Sequence, residues 1–186
     1  MTTYNIGDSG EMLTFSDSVM AHFKRHQQRR ASDNEAGGQL FARLSQKNIA
    51  VVDVTGPRRT DKRSRFAYVP DRSAEQREIL ERHSAGLQFV GDWHTHPARY
   101  GNPSPQDLAS MAEMVQRSKH SLNGFVLVIV GRARLPSSMY VCVHDGMGAY
   151  ELAPSRGRGR GGFLTLVARQ LGWQFLRGMG QLSSGT

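Results

Sequence analysis

Apolar positions along this chain repeat at two periods, and the period in force changes several times between Thr14 and Val143. Val19, Met20 and Phe23 share one side of a helix predicted to start at Thr14 or Ser16 and to run into the polar stretch His26 to Arg30. Asn34-Glu35-Ala36-Gly37-Gly38 breaks that pattern. Gln39 to Leu44 and Ile49 to Val54 then read as two strands joined by a short polar turn. Thr55 to Ser64 is a basic loop rich in turn formers, and Phe66 to Val69 is a short strand ahead of Pro70. A second helix is predicted over Asp71 to Ser84, capped by Asp71 or Ser73, with Ile79, Leu80 and His83 turned inward. Leu87 to Trp93 follows Gly86 as a strand.

Pro105 to Arg117 is the next predicted helix, with Leu108, Met111 and Val115 at helical spacing. Phe125 to Val130 is apolar at every position, the mark of a strand covered on both faces. Met139 to Val143 pairs with it across a turn near Gly131. The order helix, strands, helix, strand, helix, strands predicts an α/β sandwich around a central mixed, curved sheet flanked by helices. Composition divides the chain into a domain over 1–153 and a tail over 154–186. Pro154 to Gly162 alternates arginine with glycine and offers nothing for a core, so a flexible tether is predicted. Phe163, Leu164, Val167, Leu171 and Phe175 then have the spacing of a short amphipathic helix.

With 186 residues, 38 % of them hydrophobic, the chain suits one domain with a sizeable core. No run of ten apolar residues occurs, so no membrane-spanning helix is expected. Met1 to Gly10 lacks the basic and apolar regions of a secretory signal, and Cys142 is the one cysteine, so a cytoplasmic, reducing compartment is predicted. The net charge of +8 is concentrated at Arg29-Arg30, at Arg58, Arg59, Lys62, Arg63 and Arg65, and at Arg156, Arg158 and Arg160. Solvated surface is the plain reading of such clusters. After it, a docking patch for an acidic protein ranks ahead of nucleic acid, because no zinc-finger spacing, P-loop or GxGxxG accompanies the charge.

The segment that carries chemistry is Asp92-Trp93-His94-Thr95-His96-Pro97 through Ser104-Pro105-Gln106-Asp107. His94 and His96 alternate on a strand end, so both rings point to one side. Asp107, in the first turn of the following helix, supplies a third ligand if the intervening loop folds back. Two nitrogens and one oxygen suit Zn²⁺, and three protein ligands leave a fourth position for water. Ser104-Pro105-Gln106-Asp107 is equally a good helix start, with a serine cap, proline at the first position and an acid three residues on. A general base is also needed. Glu35, beside Gly37-Gly38 and ahead of an apolar strand, is the best placed. Glu75, Glu78, Glu81 and Glu113 remain open as alternatives, although they fall on predicted helices and read as surface residues. His22, His26, His83, His120 and His144 have no comparable partners, and Cys142 alternates with Val141 and Val143 as a packed strand residue.

These residues resemble the signature of the JAMM (MPN-plus, JAB-domain) metalloproteases: a distant glutamate, His-x-His-Pro, six residues, then Ser-x-x-Asp. Here the signature reads Glu35, His94-Thr95-His96-Pro97, the six residues Ala98 to Pro103, and Ser104-Pro105-Gln106-Asp107. The resemblance extends over roughly Met12 to Glu151 and leaves the arginine-glycine tail out. It implies the JAMM/MPN (cytidine-deaminase-like) fold and a zinc-dependent isopeptidase or peptidase. His94, His96 and Asp107 would hold one catalytic Zn²⁺ with water as fourth ligand. Glu35 would be the general base and then acid, and Ser104 would donate to the developing oxyanion.

In that family the substrate is typically the glycine-ended tail of a ubiquitin-like protein, laid as an extended strand beside the site. The phrase Phe89-Val90-Gly91-Asp92-Trp93-His94, with Phe125 to Gly131 after it, is most similar to bacterial JAB proteases of anti-phage defence. One type would release the conjugate on the C-terminus of a cGAS-like nucleotidyltransferase in CBASS systems, and this is the preferred reading. Another would deconjugate a bacterial ubiquitin-like protein. A non-catalytic basic docking module is the alternative from outside enzymology. With one cysteine, a second structural zinc site is not expected, and the basic segment between Thr55 and Phe66 could contact an acidic substrate surface.

Overall fold

The computed structural model describes residues 1–155. The predicted helix over Phe163 to Leu176 and most of the arginine-glycine stretch lie outside the described residues. The chain opens with two strands that the periodicity did not predict, β1 (Thr2–Ile6) and β2 (Glu11–Phe15), paired antiparallel. They are short and rich in threonine and asparagine, yet Tyr4 and Ile6, and Leu13 and Phe15, alternate inward and are buried.

Helix α1 (Asp17–His26) follows, capped by Ser16, whose side chain accepts from the Val19 amide at 3.3 Å. Asp17 in its first turn and Lys24, Arg25 and His26 in its last complement the helix dipole, and Val19 and Phe23 are its buried residues. The predicted strand pair is β3 (Gly37–Ser45) and β4 (Asn48–Val54). The remaining elements are β5 (Lys62–Ser64), β6 (Ala67–Val69), α2 (Arg72–Ser84), β7 (Gln88–Thr95), α3 (Pro105–Arg117), β8 (Phe125–Val130), β9 (Met139–His144) and β10 (Ala149–Glu151).

Eight strands form one mixed sheet in the order β1-β2-β4-β3-β7-β8-β9-β10, parallel only at β2/β4 and β7/β8. The sheet curls until its edges nearly meet. Past β10, Leu152 donates to the Val141 carbonyl at 2.8 Å, Pro154 bridges Tyr4, and Ser155 donates to the Thr3 carbonyl at 2.7 Å. β8 is buried at every position, as its uniform apolarity predicts. Val126, Val128 and Val130 join the core that contains α1, whereas Phe125, Leu127 and Ile129 pack with Met111 and Val115 of α3.

Two expectations need correction. α2 does not present an apolar stripe: Leu80 is 63 % exposed, His83 is exposed, and the buried residue of this helix is Glu75. The helix is held instead by polar contacts, Arg82 to Asp53 at 3.2 Å and Arg58 to Glu78. The basic segment is not all solvated loop either. Lys62 to Val69 forms the β5–β6 hairpin, and Arg58 turns inward among Asp61, Glu75 and Glu78.

Candidate metal centre

The direction in which β7 points its histidines depends on one extra residue. Opposite β3, Leu40 pairs with Gly91 and Phe41 with Phe89, so Val90 is bulged out of register. Strict alternation would turn Phe89 and Trp93 the same way. In the structure Phe89 packs on the α3 side and Trp93 lies in the core that contains α1. The bulge therefore swaps parity, and Asp92, His94 and His96 face α3 rather than the closed interior. Gly91 at the bulge has φ +143°, and a side chain there would meet the Val126 carbonyl 1.9 Å from its first carbon. Only glycine fits that approach.

Asp107 reaches the histidines because the loop after His96 is pinned. Arg132 donates to the Ala98 carbonyl and Ala133 to the Arg99 carbonyl, both at 2.9 Å, and Gly101 donates to Ser138 at 2.9 Å. Gln27, buried after α1, fixes the other side of this turn through the carbonyls of Gly131 and Ala133. Ser104 then caps α3, with Pro105 at its first position and Asp107 closing a capping box.

His94 Nε2 and His96 Nε2 stand 3.1 Å apart, and Asp107 Oδ1 and Oδ2 lie 3.2 and 3.4 Å from them respectively. A tetrahedral Zn²⁺ with bonds of about 2.0–2.1 Å would place its ligand atoms roughly 3.3 Å apart. The donor set and its separations thus fit such an ion, and no other acid, histidine or cysteine among the described residues joins the group. Burial and the neighbouring His94 hold His96 below the ordinary imidazole range, which favours the neutral ring that metals require. Burial alone would raise Asp107. Hydrogen bonds from His94 and Ser104 outweigh it and hold the carboxyl well below the usual range, ionised and ready to ligate.

Glu35 stands on the strand edge beside this group. Gly37 pairs with His94, and Ala36 exchanges hydrogen bonds with Thr95: Thr95 N–H to the Ala36 carbonyl at 2.8 Å, Ala36 N–H to Thr95 Oγ1 at 3.0 Å. The Thr95 hydroxyl donates to Gln28 Oε1 at 3.1 Å. Gln28 in turn donates to the Asp33 and Arg65 carbonyls, and the Glu35 amide donates to Ser64 at 2.8 Å. Glu35 is 6 % exposed, and burial pushes its carboxyl up to about 7, opposed by His94 and assisted by Asp107. A proton held there is transferable near neutrality.

Gly37 and Gly38 are paired within the sheet, opposite His94 and Trp93. A side chain at Gly37 would strike the Tyr68 ring at 2.5 Å, so this glycine admits the hairpin against β3. Glu35, His94, His96, Ser104 and Asp107 line a common cleft of about 680 Å³. One end is walled by the hairpin, with Phe66, Tyr68, Val69, Arg72 and Asp92, and the α3 wall carries Met111 and Met114. Ser104 Oγ donates to Asp107 Oδ2 at 2.7 Å, so its hydroxyl is engaged in the helix cap.

Several contributors left no sequence signal. Gln28 and Arg58 fall in polar and basic stretches, and Asp92 and Thr95 lie inside the histidine segment without an assigned role. His22 and His26 are structural, as expected, but not without neighbours: both rings pack against buried Trp93, at 5.1 and 6.0 Å. Glu75, read as surface, is 4 % exposed beneath Arg58 and Arg72. Cys142 is buried, and burial raises its thiol to about 11, as fits a packed residue.

Residues 17–142 match the family model of prokaryotic homologs of the JAB domain, a span that begins with α1 and holds Glu35 and the whole histidine segment. The chain belongs to the prokaryotic JAB family. A relative from Pseudomonas aeruginosa named CD-NTase/cGAS isopeptidase is 28 % identical over 86 % of this chain and 94 % of its own. A second of that name, from Escherichia coli, is 21 % identical over 68 % of this chain and 81 % of its own. A Sinorhizobium fredii protein named "Probable metalloprotease y4qB" is 36 % identical over 45 % of this chain and 54 % of its own. In fold, this JAB domain is similar to the solution structure of protein DSY2949 from Desulfitobacterium hafniense. The TM-score is 0.55 at 22 % identity, covering 75 % of this chain and 89 % of the other.

Proposed function

We propose that this JAB domain is a metal-dependent isopeptidase that hydrolyses the amide bond after the C-terminal glycine of a conjugated protein in bacterial antiviral defence. The conjugate proposed is that of a cGAS-like nucleotidyltransferase. The observation that carries the reading is the convergence of a buried glutamate and a His-His-Asp donor set in one open cleft. The isopeptidase names of two relatives support the reaction and the partner class.

His94, His96 and Asp107 would hold the ion, and Zn²⁺ is the ion that their donor types and separations favour. When bound, it would supply Lewis acidity to the scissile carbonyl and lower the pKa of water. Glu35 takes a proton from the attacking water and delivers it to the leaving amine, a transfer that its raised carboxyl pKa suits. Ser104 orients Asp107 from the helix cap, and its hydroxyl is the donor offered to the developing oxyanion, at the expense of its bond to Asp107. The hairpin end of the cleft accommodates an extended tail.

The test is incubation of the zinc-loaded protein with a conjugated nucleotidyltransferase, read by intact mass. Release of the free enzyme is expected, abolished by a chelator and by Glu35→Gln. An unchanged conjugate with the zinc-loaded wild type would overturn the assignment.

A further inference from the structure

The cleft contains a second polar feature that the proposed hydrolysis does not use. Asp92 lies two residues before His94 on the same face of β7 and lines the hairpin end of the cleft. Its Oδ1 is fully buried and meets no hydrogen-bond donor. Glu75 lies behind it, also buried. The two nearby cations, Arg58 and Arg72, make their hydrogen bonds to other groups. Arg72 donates to Glu75 at 2.8 Å, and Arg58 is shared among Glu78, Glu75, Asp61 and the Thr55 hydroxyl. Four carboxyls, Asp61, Glu75, Glu78 and Asp92, thus surround two guanidinium groups. A buried carboxyl without donors is costly, and such groups are normally paired. Asp92 is also one of the residues that line the cleft, where a ligand can approach its side chain.

We infer that Asp92 is a specificity residue that receives a basic side chain of the substrate tail, two positions before the residue whose carbonyl is cut. This deepens the reading given under Proposed function and rests on it. The register follows from strand geometry. Asp92 and His94 are separated by two residues of β7, about 6.6 Å, and an extended tail advances by the same amount over two residues. Side chains two apart in such a tail point to the same side, so with the cut carbonyl at the histidines the residue two back lies at Asp92. An isopeptide bond has a full main chain on its acyl side and a thin lysine side chain on the other. The end walled by the β5–β6 hairpin, whose strands can pair with a main chain, is therefore assigned to the acyl side. A guanidinium or ammonium brings both the charge and the donors that the Asp92 carboxyl lacks.

The experiment measures binding, so that it does not depend on turnover. Zinc-loaded Glu35→Gln protein is titrated against fluorescent peptides that end in Gly-Gly and carry arginine, citrulline or glutamate third from the C-terminus. Arginine is expected to bind at least about tenfold tighter than its neutral isostere citrulline, and glutamate weakest, a ranking that needs no variant at Asp92. In Glu35→Gln/Asp92→Asn, checked for folding by its melting curve, the arginine-to-citrulline ratio is expected to fall close to one. Equal binding of all three peptides, or a ratio unmoved by Asp92→Asn, overturns the inference while leaving the tail-binding cleft intact. Failure of every peptide to bind overturns the tail-binding reading itself, and the inference with it.

Discussion

Glu35 is the buried carboxyl that shares the cleft with His94, His96 and Asp107, and its environment makes a prediction separate from the proposed catalysis. Burial raises its pKa from the ordinary 4.5 to about 7 in the folded, metal-free chain. Between those values the native state holds a proton that the unfolded chain has released, so stability falls as pH rises through that window and stays lowered above it. Glu35→Gln removes the effect. Metal-free Glu35→Gln is expected to melt with wild type at pH 4, where both side chains are neutral. At pH 8 it is expected to be more stable, on the order of 1–2 kcal/mol. The proposed metal ligands give a second residue-scale prediction. Wild type is expected to bind about one zinc per chain by elemental analysis and to gain melting temperature with added zinc. His94→Ala/His96→Ala is expected to fold, bind none and gain nothing. Both histidines, Asp107 and Ser104 were legible because their spacing combines a strand end with a capped helix. Glu35 was one of several candidate glutamates in the sequence, and the β3–β7 pairing, with Ala36 against Thr95, is what brings it into the cleft with the histidines.

At the scale of elements, the basic segment Thr55 to Ser64, which leads into the β5–β6 hairpin, is the piece whose role the sequence misrepresented. Its basic composition suggested a solvated loop, yet Arg58 has a side chain only 9 % exposed and ties the segment to α2 and β3. Burial lowers and Glu78 raises the tendency of Arg58 to stay protonated, and the pairing prevails, so the guanidinium remains charged. Removing it leaves Asp61, Glu75 and Glu78 without their shared partner. Arg58→Ala is expected to cost about 3–5 kcal/mol in chemical denaturation, far more than Lys62→Ala or Arg63→Ala on the exposed strand of the hairpin. α2 makes the same point from the other side. Its capping residue Asp71 was recognisable, but its attachment through ion pairs rather than leucines was not, because a helix pattern reports apolar stripes and these partners are distant in sequence. α3 and β8 were read correctly because their apolar periodicity and their packing coincide.

Across the whole molecule, the curled sheet brings the first strand to the last described residues. Leu152 is 6 % exposed in the core, and Pro154 and Ser155 pair with Tyr4 and Thr3. A chain ending at Glu151 loses that burial and both backbone bonds. It is expected to melt lower than one ending at Ser155, by the equivalent of about 2–4 kcal/mol. By itself the sequence determined the α/β class, the three helices of the described residues, the fully buried strand and the spacing of the candidate metal ligands. Each of these depends on residues that lie close together along the chain. Tertiary structure alone decided which way β7 faces, since one bulged residue at Val90 swaps the sides of a strand whose alternation is otherwise symmetric. It also decided which glutamate joins the histidines, where Arg58 and Glu75 are buried, and how β1 closes on the chain beyond β10. Those outcomes are set by pairings between distant segments, which local periodicity does not encode.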